Sequence, residues 1–314
     1  MGGDHEKSLR LVKRARSHGA IATAVVYPCS VEALKGALEA ADAGVITPVL
    51  VGPRVEIERI ARESGLDLSR VPIEDVAQPL QATYRAAALV HEGRVHVLMK
   101  GSLHTDELMK AAASRKAGLL TSRRVSHVFV MDVPTHARLL FVADAAINVA
   151  PKLRVKRDIT QNAIDCAHAT GIEIPNVAVL SAIETVNEAI PSTVDAAALR
   201  DMAQRGEIVG GIVDGPLAFD NAISADAARL KGLETPVAGA VDILIVPSIE
   251  AGNILYKSLV YLNNAVAAGV VMGMGAPIVL TSRADSAASR VASAAVACLL
   301  VHHRTASATA RTAT

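Results

Sequence analysis

Aromatic side chains are scarce in this sequence of 314 residues, which contains four tyrosines, three phenylalanines and no tryptophan. Proteins that bind single-stranded nucleic acids use aromatic rings on which the bases stack. The charges are also nearly balanced, because 32 Lys and Arg residues face 31 Asp and Glu residues and the formal net charge is +1. A chain without a basic excess lacks the electrostatic attraction that phosphate backbones require. We therefore expect no nucleic-acid partner.

Cysteine is rare as well, and the chain has no long uninterrupted apolar run. Cys29, Cys166 and Cys298 are far apart and form no CxxC motif, which argues against a zinc ribbon or a disulfide framework and favours a reducing compartment. The longest apolar stretch, residues 265–280, is interrupted by three glycines and Pro277, so it is too short for a membrane span. The first residues lack the apolar core of a secretory signal. We expect a cytoplasmic protein without a membrane partner.

Several catalytic motifs are absent. The sequence has no GxxxxGK[ST], no HExxH, no GxSxG and no GxGxxG placed between a strand and a helix. These absences argue against P-loop nucleotide chemistry, zinc-dependent hydrolysis, a serine hydrolase elbow and a dinucleotide fingerprint.

Aliphatic segments are abundant, since hydrophobic residues make up 51% of the chain, and helix-like and strand-like segments alternate. Strands that are apolar without alternation are typical of parallel sheets buried on both faces. The pattern predicts a layered α/β protein, helix on mostly parallel sheet on helix, with two domains. The predicted strands are 46–52, 95–100, 127–132, 138–144, 177–181, 207–214, 242–247 and 277–282. The predicted helices are 31–43, 55–64, 78–92, 159–170, 194–204, 223–231, 251–268 and 285–301.

Polar residues that follow the strands are the candidates for a ligand site, because open α/β sheets bind ligands beyond the carboxyl ends of their strands. Five segments qualify: 99–108, 121–129, 213–224, 247–257 and 279–290. In the first, Lys100, Ser102 and His104 follow a strand, and Thr105 is expected to cap the next helix. In the second, Arg123 and Arg124 offer planar donors that suit phosphate or carboxylate.

The other three segments combine carboxylates, amides and a serine–arginine pair. Asp214 and Asp220 are candidates for acid/base groups or metal ligands, although two carboxylates without a histidine are a weak metal signal. Glu250, Asn253 and Lys257 fall on one face of a predicted helix. Ser282 and Arg283 precede the last helix. Each of the five segments also has an ordinary structural explanation, as a capped helix start, a turn aspartate or a solvated loop. The spacing alone does not choose between the two.

Eight segments in order along residues 100–293 resemble the phosphate acetyltransferase and phosphate butyryltransferase family, and most of all the phosphotransacylase portion of bifunctional enoyl-CoA hydratase/phosphate acetyltransferases. The segments are KGSLHTDELMKA, RRVSHVFVMDVPTHARLL, DAAINVAPKL, DITQNAIDCA, PNVAVLSAIETVN, VDGPLAFDNAIS, EAGNILYK and PIVLTSRADSAASRVAS. They cover nearly two thirds of the chain. Residues 1–90 match less distinctively, and no hydratase portion is present.

The resemblance implies reversible transfer of a short acyl group, acetyl to butyryl, between coenzyme A and inorganic phosphate in a ternary complex. Coenzyme A is then a substrate, and no metal or redox cofactor is expected. The fold implied is an isocitrate-dehydrogenase-like pair of α/β domains with an active-site cleft between them. We expect one domain over 1–138 plus 270–314, the other over 139–269, and a homodimer.

The resemblance also implies roles for individual residues. Ser282 and Arg283 match the family's catalytic serine–arginine pair, with Arg283 also binding phosphate. The arginine before the SHVF strand is Arg123 or Arg124; we choose Arg124 for phosphate, together with Ser126. The residues expected to line the substrate cleft are Lys100, His104, Asp214, Asn253 and Lys257.

One position departs from the family pattern. Acetyl-specific members have an aspartate, regarded as the base, where this chain has Ser289. Asp285 is the nearest carboxylate in sequence, and we assign it as the catalytic candidate. The departure keeps open a non-catalytic acyl-CoA-binding homologue, which would bind CoA without turnover. A metal- and NAD-dependent decarboxylating dehydrogenase of similar fold is a further alternative, recognisable by metal- and NAD-dependent turnover.

Overall fold

The computed structural model describes residues 5–281 and 285–312. Its elements in chain order are α1 (Glu6–His18), β1 (Ile21–Val26), α2 (Val31–Asp42), β2 (Ile46–Gly52), α3 (Arg54–Glu63), β3 (Ile73–Asp75), α4 (Pro79–His91), β4 (Val97–Lys100), α5 (Thr105–Ala112), β5 (Ser126–Asp132), β6 (Leu140–Ala143), α6 (Leu153–Thr170), β7 (Asn176–Leu180), α7 (Pro191–Gln204), β8 (Ile212–Leu217), α8 (Phe219–Ile223), α9 (Ala225–Leu230), β9 (Ile243–Ile245), α10 (Ile249–Asn263), β10 (Val266–Met272), β11 (Ile278–Val279) and α11 (Ala287–Thr312).

The chain forms two compact units. We call Ser8–Arg123, with the described residues from Ala268 onward, the terminal unit, and Arg124–Ala267, with the residues up to Lys7, the central unit. This division lies before β5, whereas the predicted boundary at 138/139 falls between β5 and β6. Those two strands pair antiparallel, and their ladder keeps them in one unit.

The terminal unit contains the strand order β3-β2-β1-β4-β11-β10. All neighbours pair parallel except β11 and β10, which are antiparallel. Because β1, β2, β4 and β11 run in the same direction, the segments that follow them emerge at one edge of the sheet. Helix α2 starts there, where the Ser30 Oγ accepts a hydrogen bond from the Ala33 amide at 3.3 Å.

The central unit contains the strand order β5-β6-β9-β7-β8, parallel except for β5 and β6. Every residue of β5 is buried, as expected for a strand that is covered on both faces. Helix α6 packs on β5, β6 and β9, and α7 packs on β7 and β8. The predicted fold class, a layered α/β protein with a mostly parallel sheet, is confirmed.

Some element predictions were wrong. Residues 266–268, expected at the end of a helix, begin strand β10, because Asn264 adopts the left-handed conformation (φ 52°) that ends α10. The predicted helix 223–231 corresponds to α9 (Ala225–Leu230), and the short helix α8 (Phe219–Ile223) before it was not predicted. Thr105 is the first residue of α5 rather than its cap. The described residues include no helix that is long and apolar enough to cross a membrane.

Candidate active site

The loop after β4 places Lys100 and Ser102 at the carboxyl edge of the terminal unit's sheet. The Lys100 side chain is buried, and its Nζ donates hydrogen bonds to the carbonyls of Gly101 at 3.3 Å and Leu103 at 3.5 Å. The amides of Gly101 and Ser102 donate to the carbonyls of Val26 and Tyr27, both at 2.9 Å. These two hydrogen bonds hold the loop against the end of β1.

A small cavity of about 30 Å³ lies at this edge. Its lining brings the predicted Lys100 and Ser102 together with groups that the sequence analysis did not select. The lining residues are Ser30, Glu32, Ala33, Met99, Lys100, Gly101, Ser102, Thr281 and Arg290. A space of this size holds about one water molecule. The cavity is therefore too small for a substrate, and Lys100, Ser102, Thr281 and Arg290 meet around it.

Substituting Gly101 with alanine tests how tightly this loop is held. An added Cβ would lie 2.3 Å from the Val26 carbonyl oxygen and 2.6 Å from that of Tyr27, and these backbone atoms belong to a buried strand end. We expect Gly101→Ala to lower the free energy of unfolding by about 1–3 kcal/mol, as overpacking does. Gly275→Ala is the matched control, since its Cβ would meet nothing closer than 3.6 Å. Equal denaturation midpoints for the two variants would contradict this account of the loop.

Arg290 holds the start of α11 in place. Its side chain ion-pairs with Glu39 (Nη2–Oε2 3.2 Å), and its Nη1 donates to the Asp285 carbonyl at 2.7 Å. Gly36 makes room for it, because a Cβ there would lie 2.6 Å from the Arg290 Cδ. Asp285, the carboxylate that the sequence analysis selected, is therefore fixed through its backbone. Ser282 and Arg283 lie outside the described residues.

Ser289, at the position of the family's aspartate, is buried in the first turn of α11. The Ser286 Oγ accepts a hydrogen bond from its amide at 3.1 Å and lies 3.2 Å from its Oγ. A hydroxyl with an ordinary pKa far above neutrality does not serve as a carboxylate base does. His104 is exposed at the start of α5, where its backbone N–H donates to Glu107 Oε2 at 3.2 Å.

Arg124 is the first residue of the segment 124–267 of the central unit. Hydrogen bonds hold its backbone and the Nε of its side chain. Its amide donates to Asp158 Oδ2 at 2.9 Å, and its carbonyl accepts from Asn162 Nδ2 at 2.9 Å. Its Nε donates to Asn148 Oδ1 at 3.1 Å. The residue as a whole is nevertheless exposed. The network therefore orients an arginine that remains accessible to a ligand, and such an arginine is suited to an anion.

Asn148 is in turn fixed by a buried carboxylate. Its Nδ2 donates to Asp144 Oδ2 at 2.6 Å and to the Val125 carbonyl at 2.9 Å. Asp144 is 2% exposed and also accepts from the amides of Ala146 and Ile147 at 3.0 and 3.1 Å. Burial raises the pKa of Asp144 above its usual range, while these hydrogen bonds lower it. The Asn148 amide is thus held in one orientation, and its oxygen faces Arg124.

Ser126 has a different place from the one that the resemblance suggests. It is fully buried, and its Oγ accepts a hydrogen bond from Asn162 Nδ2 at 2.8 Å. The same Nδ2 donates to the Arg124 carbonyl. Ser126 therefore supports the backbone of Arg124 through Asn162.

The remaining cleft candidates lie on β8 and α10. Asp214 was expected to end its strand but is the third residue of β8, half-buried, with its Oδ1 accepting from the Gly215 amide. Asn253 is half-buried in α10, with its Nδ2 3.4 Å from the Ala145 carbonyl, and Lys257 is exposed one turn further on. Asp220 ion-pairs with Lys231 at 3.1 Å, and this partner lowers the pKa of Asp220. Asp220 is thus engaged in a surface ion pair.

The sequence analysis missed Asp144, Asn148, Asp158 and Asn162. They lie within the segments DAAINVAPKL and DITQNAIDCA, which carry the resemblance. No spacing rule connects them to Arg124, because they are 20 to 38 positions away from it in sequence. Their polar character inside apolar surroundings was the available signal, since buried amides and carboxylates require partners.

His127 follows Ser126 on β5, and we expect it to make the free energy of unfolding depend on pH. It is 1% exposed, its Nδ1 has no hydrogen-bond partner among the described residues, and burial lowers its pKa from 6.5 to about 3. Between these values the unfolded chain binds a proton that the folded chain does not, so stability falls as the pH decreases below 6.5. We expect a loss of about 1.4 kcal/mol per pH unit from this residue.

The measurement is the free energy of unfolding at about pH 7 and about pH 5 for the native chain and His127→Phe. Phe keeps a ring against Phe129, whose centroid lies 4.3 Å from that of His127, and it cannot titrate. The native chain should lose about 2 kcal/mol more than the variant over this interval. Any loss of packing caused by the substitution is present at both pH values, so it cancels when the change with pH is taken for each protein. Equal losses would show that His127 takes up a proton in the folded state.

No group of three or more His, Cys, Asp and Glu side chains within residues 5–281 and 285–312 is arranged to hold a metal ion. The polar groups beyond the strand ends are instead a buried lysine, hydroxyls and an oriented arginine. Groups of this kind at the strand ends of an α/β sheet are typical of proteins that bind small anions.

Comparisons with known proteins identify the family. Residues 73–298 match the family model described as phosphate acetyl/butaryl transferase. The phosphate acetyltransferase of Rhizobium meliloti is 56% identical over 295 residues, which cover 94% of this chain and 93% of that protein. The phosphate butyryltransferase of Clostridium beijerinckii is 44% identical over 269 residues, 86% and 88% of the two chains. A branched-chain phosphotransacylase from Enterococcus faecalis superimposes with a TM-score of 0.78 at 29% identity, covering 90% of this chain and 99% of that one.

The chain belongs to the phosphate acetyl/butaryl transferase family. The resemblance stated from the eight segments is confirmed, as is the prediction of an acyltransferase. The two relatives matched by sequence carry transferase names. A 4-hydroxythreonine-4-phosphate dehydrogenase from Klebsiella pneumoniae shares the fold, with a TM-score of 0.58 at 13% identity, and this likeness shows the fold alone.

Proposed function

We propose that this chain catalyses the reversible reaction of an acyl-CoA with inorganic phosphate to give an acyl phosphate and CoA. A phosphate oxygen attacks the thioester carbonyl carbon in a ternary complex, the C–O bond forms, and the C–S bond breaks. The phosphate gives up a proton, and the departing CoA sulfur takes one up. The relatives are named for acetyl and butyryl transfer, which supports short acyl groups as substrates.

The observation that carries this proposal is the orientation of Arg124. Phosphate and acyl phosphate carry about two negative charges and are bound best by planar, bidentate donors. Arg124 is held through its Nε and its backbone but is exposed, and within residues 5–281 and 285–312 no other hydrogen bond of its guanidinium is seen, so these N–H groups can bind an anion. Because the arginine is oriented before the ligand arrives, less entropy is lost on binding.

The other roles follow the family resemblance. Ser282 and Arg283 polarise the reacting carbonyl and bind phosphate, and Asp285 is the base candidate in the absence of a carboxylate at Ser289. Lys100, His104, Asp214, Asn253 and Lys257 line the substrate cleft. Ser126 supports Arg124 from the interior instead of contacting phosphate, since its side chain is buried.

The proposal extends to the setting of the protein. We infer a homodimer, supported by apolar side chains of α10 that are exposed in a single chain, Ile254, Tyr261 and Leu262; light scattering of the purified chain tests it. We also infer a cytoplasmic location, because Cys29, Cys166 and Cys298 form no disulfide bond with one another. Coenzyme A acts as a substrate, with no metal or redox cofactor.

The test is a panel of acetyl-, propionyl- and butyryl-CoA assayed with phosphate, without added metal, at the thioester absorbance. We expect phosphate-dependent loss of thioester with at least one of the three. Ser289 favours one competing outcome, a protein that binds CoA without turning it over. CoA binding by calorimetry with no turnover of any thioester would establish that outcome and overturn the proposed activity.

A further inference from the structure

A second and larger cavity lies in the terminal unit, outside the residues discussed so far. It measures about 400 Å³, which is within the range of small-molecule sites. It opens between the first turns of α4 and helix α5. Both helices follow parallel strands, so the cavity lies at the same edge of the sheet as Lys100 and Ser102.

One part of the lining is apolar and contains a ring. Pro79, Leu80, Leu103 and Ala111 contribute aliphatic surface, and Tyr84 adds one of the four tyrosines of the chain. Aliphatic and aromatic side chains of this kind accept the flat faces of a planar heterocycle.

The polar part of the lining is at the margin. Gln78 offers both a donor and an acceptor, which is what the edge of a nucleobase requires. Glu107 and Lys110 also belong to the lining. The cavity thus combines an apolar interior with a few polar groups, as specific ligand sites do.

Three cations and two carboxylates lie at or near the opening, namely Lys110, Lys116 and Arg115 against Glu107 and Asp106, so the local excess is one positive charge. Lys110 lines it, Lys116 lies over the Tyr84 ring at 4.3 Å from its centroid, and Arg115 is the exposed neighbour of Lys116. Lys110 pairs with Asp106 at 3.3 Å, but both side chains are mostly exposed and such a pair is weak. The charge at this rim suits a ligand that carries phosphate groups beside its planar ring.

The loop after β4 links this cavity to the candidate active site. Ser102 lines the small cavity, and the next residue, Leu103, lines the large one. A ligand that occupies the large cavity with one end therefore has only a short path past the loop to the polar groups around Lys100. A nucleotide joined to a long flexible arm has this form.

We propose that this cavity binds the nucleotide end of coenzyme A, with the adenine against Leu80, Leu103 and Tyr84 and the phosphates at Lys110 and Lys116. The inference rests on the proposed function, because it takes CoA as the substrate. It accounts for adenine binding in a chain that has no tryptophan and few other rings.

The test is Leu80→Glu, which places a carboxylate in the opening against the phosphates. Val55→Glu is the matched control, because Val55, like Leu80, is the second residue of its helix. Val55 is 80% exposed and Leu80 is 51% exposed, so neither substitution should disturb folding. We expect Leu80→Glu to raise the KM for acyl-CoA on the order of tenfold by like-charge repulsion. The KM for phosphate and the kcat at saturation should stay as in Val55→Glu.

Two further measurements isolate the nucleotide. Adenosine 3′,5′-bisphosphate should inhibit competitively against acyl-CoA, and Leu80→Glu should raise its inhibition constant by the same factor. An acyl-pantetheine thioester, which has no nucleotide, should keep the same KM in both variants. Equal KM values for acyl-CoA in Leu80→Glu and Val55→Glu would overturn the assignment while transfer activity persists. If no acyl-CoA is turned over at all, the proposed function fails, and calorimetry with the bisphosphate still decides whether Leu80→Glu weakens a nucleotide site.

Discussion

Arg124→Ala should lower kcat/KM for phosphate by about 10²–10³, because removing one partner of a hydrogen-bonded charge pair costs about 2–5 kcal/mol. The loss should appear mainly in the KM for phosphate, while the KM for acyl-CoA stays close to that of the native chain. The physical reason is that Asn148 holds the Nε of this guanidinium, and Asp158 holds the Arg124 backbone amide, before the phosphate binds. Initial rates over a matrix of phosphate and acyl-CoA concentrations measure both constants.

Arg123→Ala is the matched control, because the neighbouring residue carries the same charge but donates its backbone N–H to Thr121 Oγ1 and belongs to the terminal unit. Arg124→Lys keeps the charge and loses the planar donor, so it should recover only part of the activity. If Arg123→Ala reduced kcat/KM for phosphate more than Arg124→Ala, the choice between the two arginines would be wrong.

Asn148→Ala should impair both stability and phosphate binding. It removes the 2.6 Å hydrogen bond to the buried Asp144, leaves the Val125 carbonyl without its donor, and frees the Nε of Arg124. An unsatisfied buried polar group costs about 1–3 kcal/mol, and we expect a decrease of this size in the free energy of unfolding. Because Arg124 remains but is no longer oriented, the KM for phosphate should rise by about tenfold, an order-of-magnitude expectation for coupled groups.

Asn263→Ala provides the control for general effects of losing an amide, since Asn263 is exposed at the end of α10. The double variant Asn148→Ala/Arg124→Ala separates positioning from stability. If Asn148 acts on phosphate through Arg124, its removal should change the KM for phosphate little once Arg124 is gone. Fully additive changes in KM would mean that Asn148 contacts the substrate itself or acts by another route.

The strands with the most uniform apolar character were the most predictable part of the fold. Residues 127–132 were expected to form a strand, and β5 is Ser126–Asp132, whose central VFVM is the continuous apolar run typical of a buried strand. Strand β10 was not predicted. Its sequence, VAAGVVM, has neither a period of two nor one of 3.6, and its alanines favour a helix. The left-handed Asn264 and the pairing with β11 decide the outcome, and neither is visible in local sequence.

The residues of the candidate site were likewise only partly predictable from the sequence. Lys100 and Arg124 could be selected because each lies beside an apolar strand, where α/β sheets bind ligands. The groups that orient Arg124 could not, because Asp144, Asn148 and Asp158 come from a loop and a helix distant in sequence. Hydrogen-bonding partners brought together by tertiary folding leave no spacing pattern.

The net charge of the whole chain differs in its consequences from the local placement of charged groups in the structure. The net charge of +1 argues against a general affinity for polyanions, yet Arg124 is oriented for an anion, and Lys110 and Lys116 lie close together at one cavity. Binding of a small anion depends on such local arrangement of donors, whereas binding of a nucleic-acid backbone depends on the total.

The most direct measurement of the central claim, direct acyl transfer between CoA and phosphate, is isotope exchange. Acyl phosphate is incubated with radiolabelled inorganic phosphate and the native chain, with and without CoA, and the label in the acyl phosphate is followed. We predict exchange only when CoA is present, since the acyl group passes through the thioester in a ternary complex and no acyl-enzyme forms. Exchange without CoA, or none with it, would contradict the account.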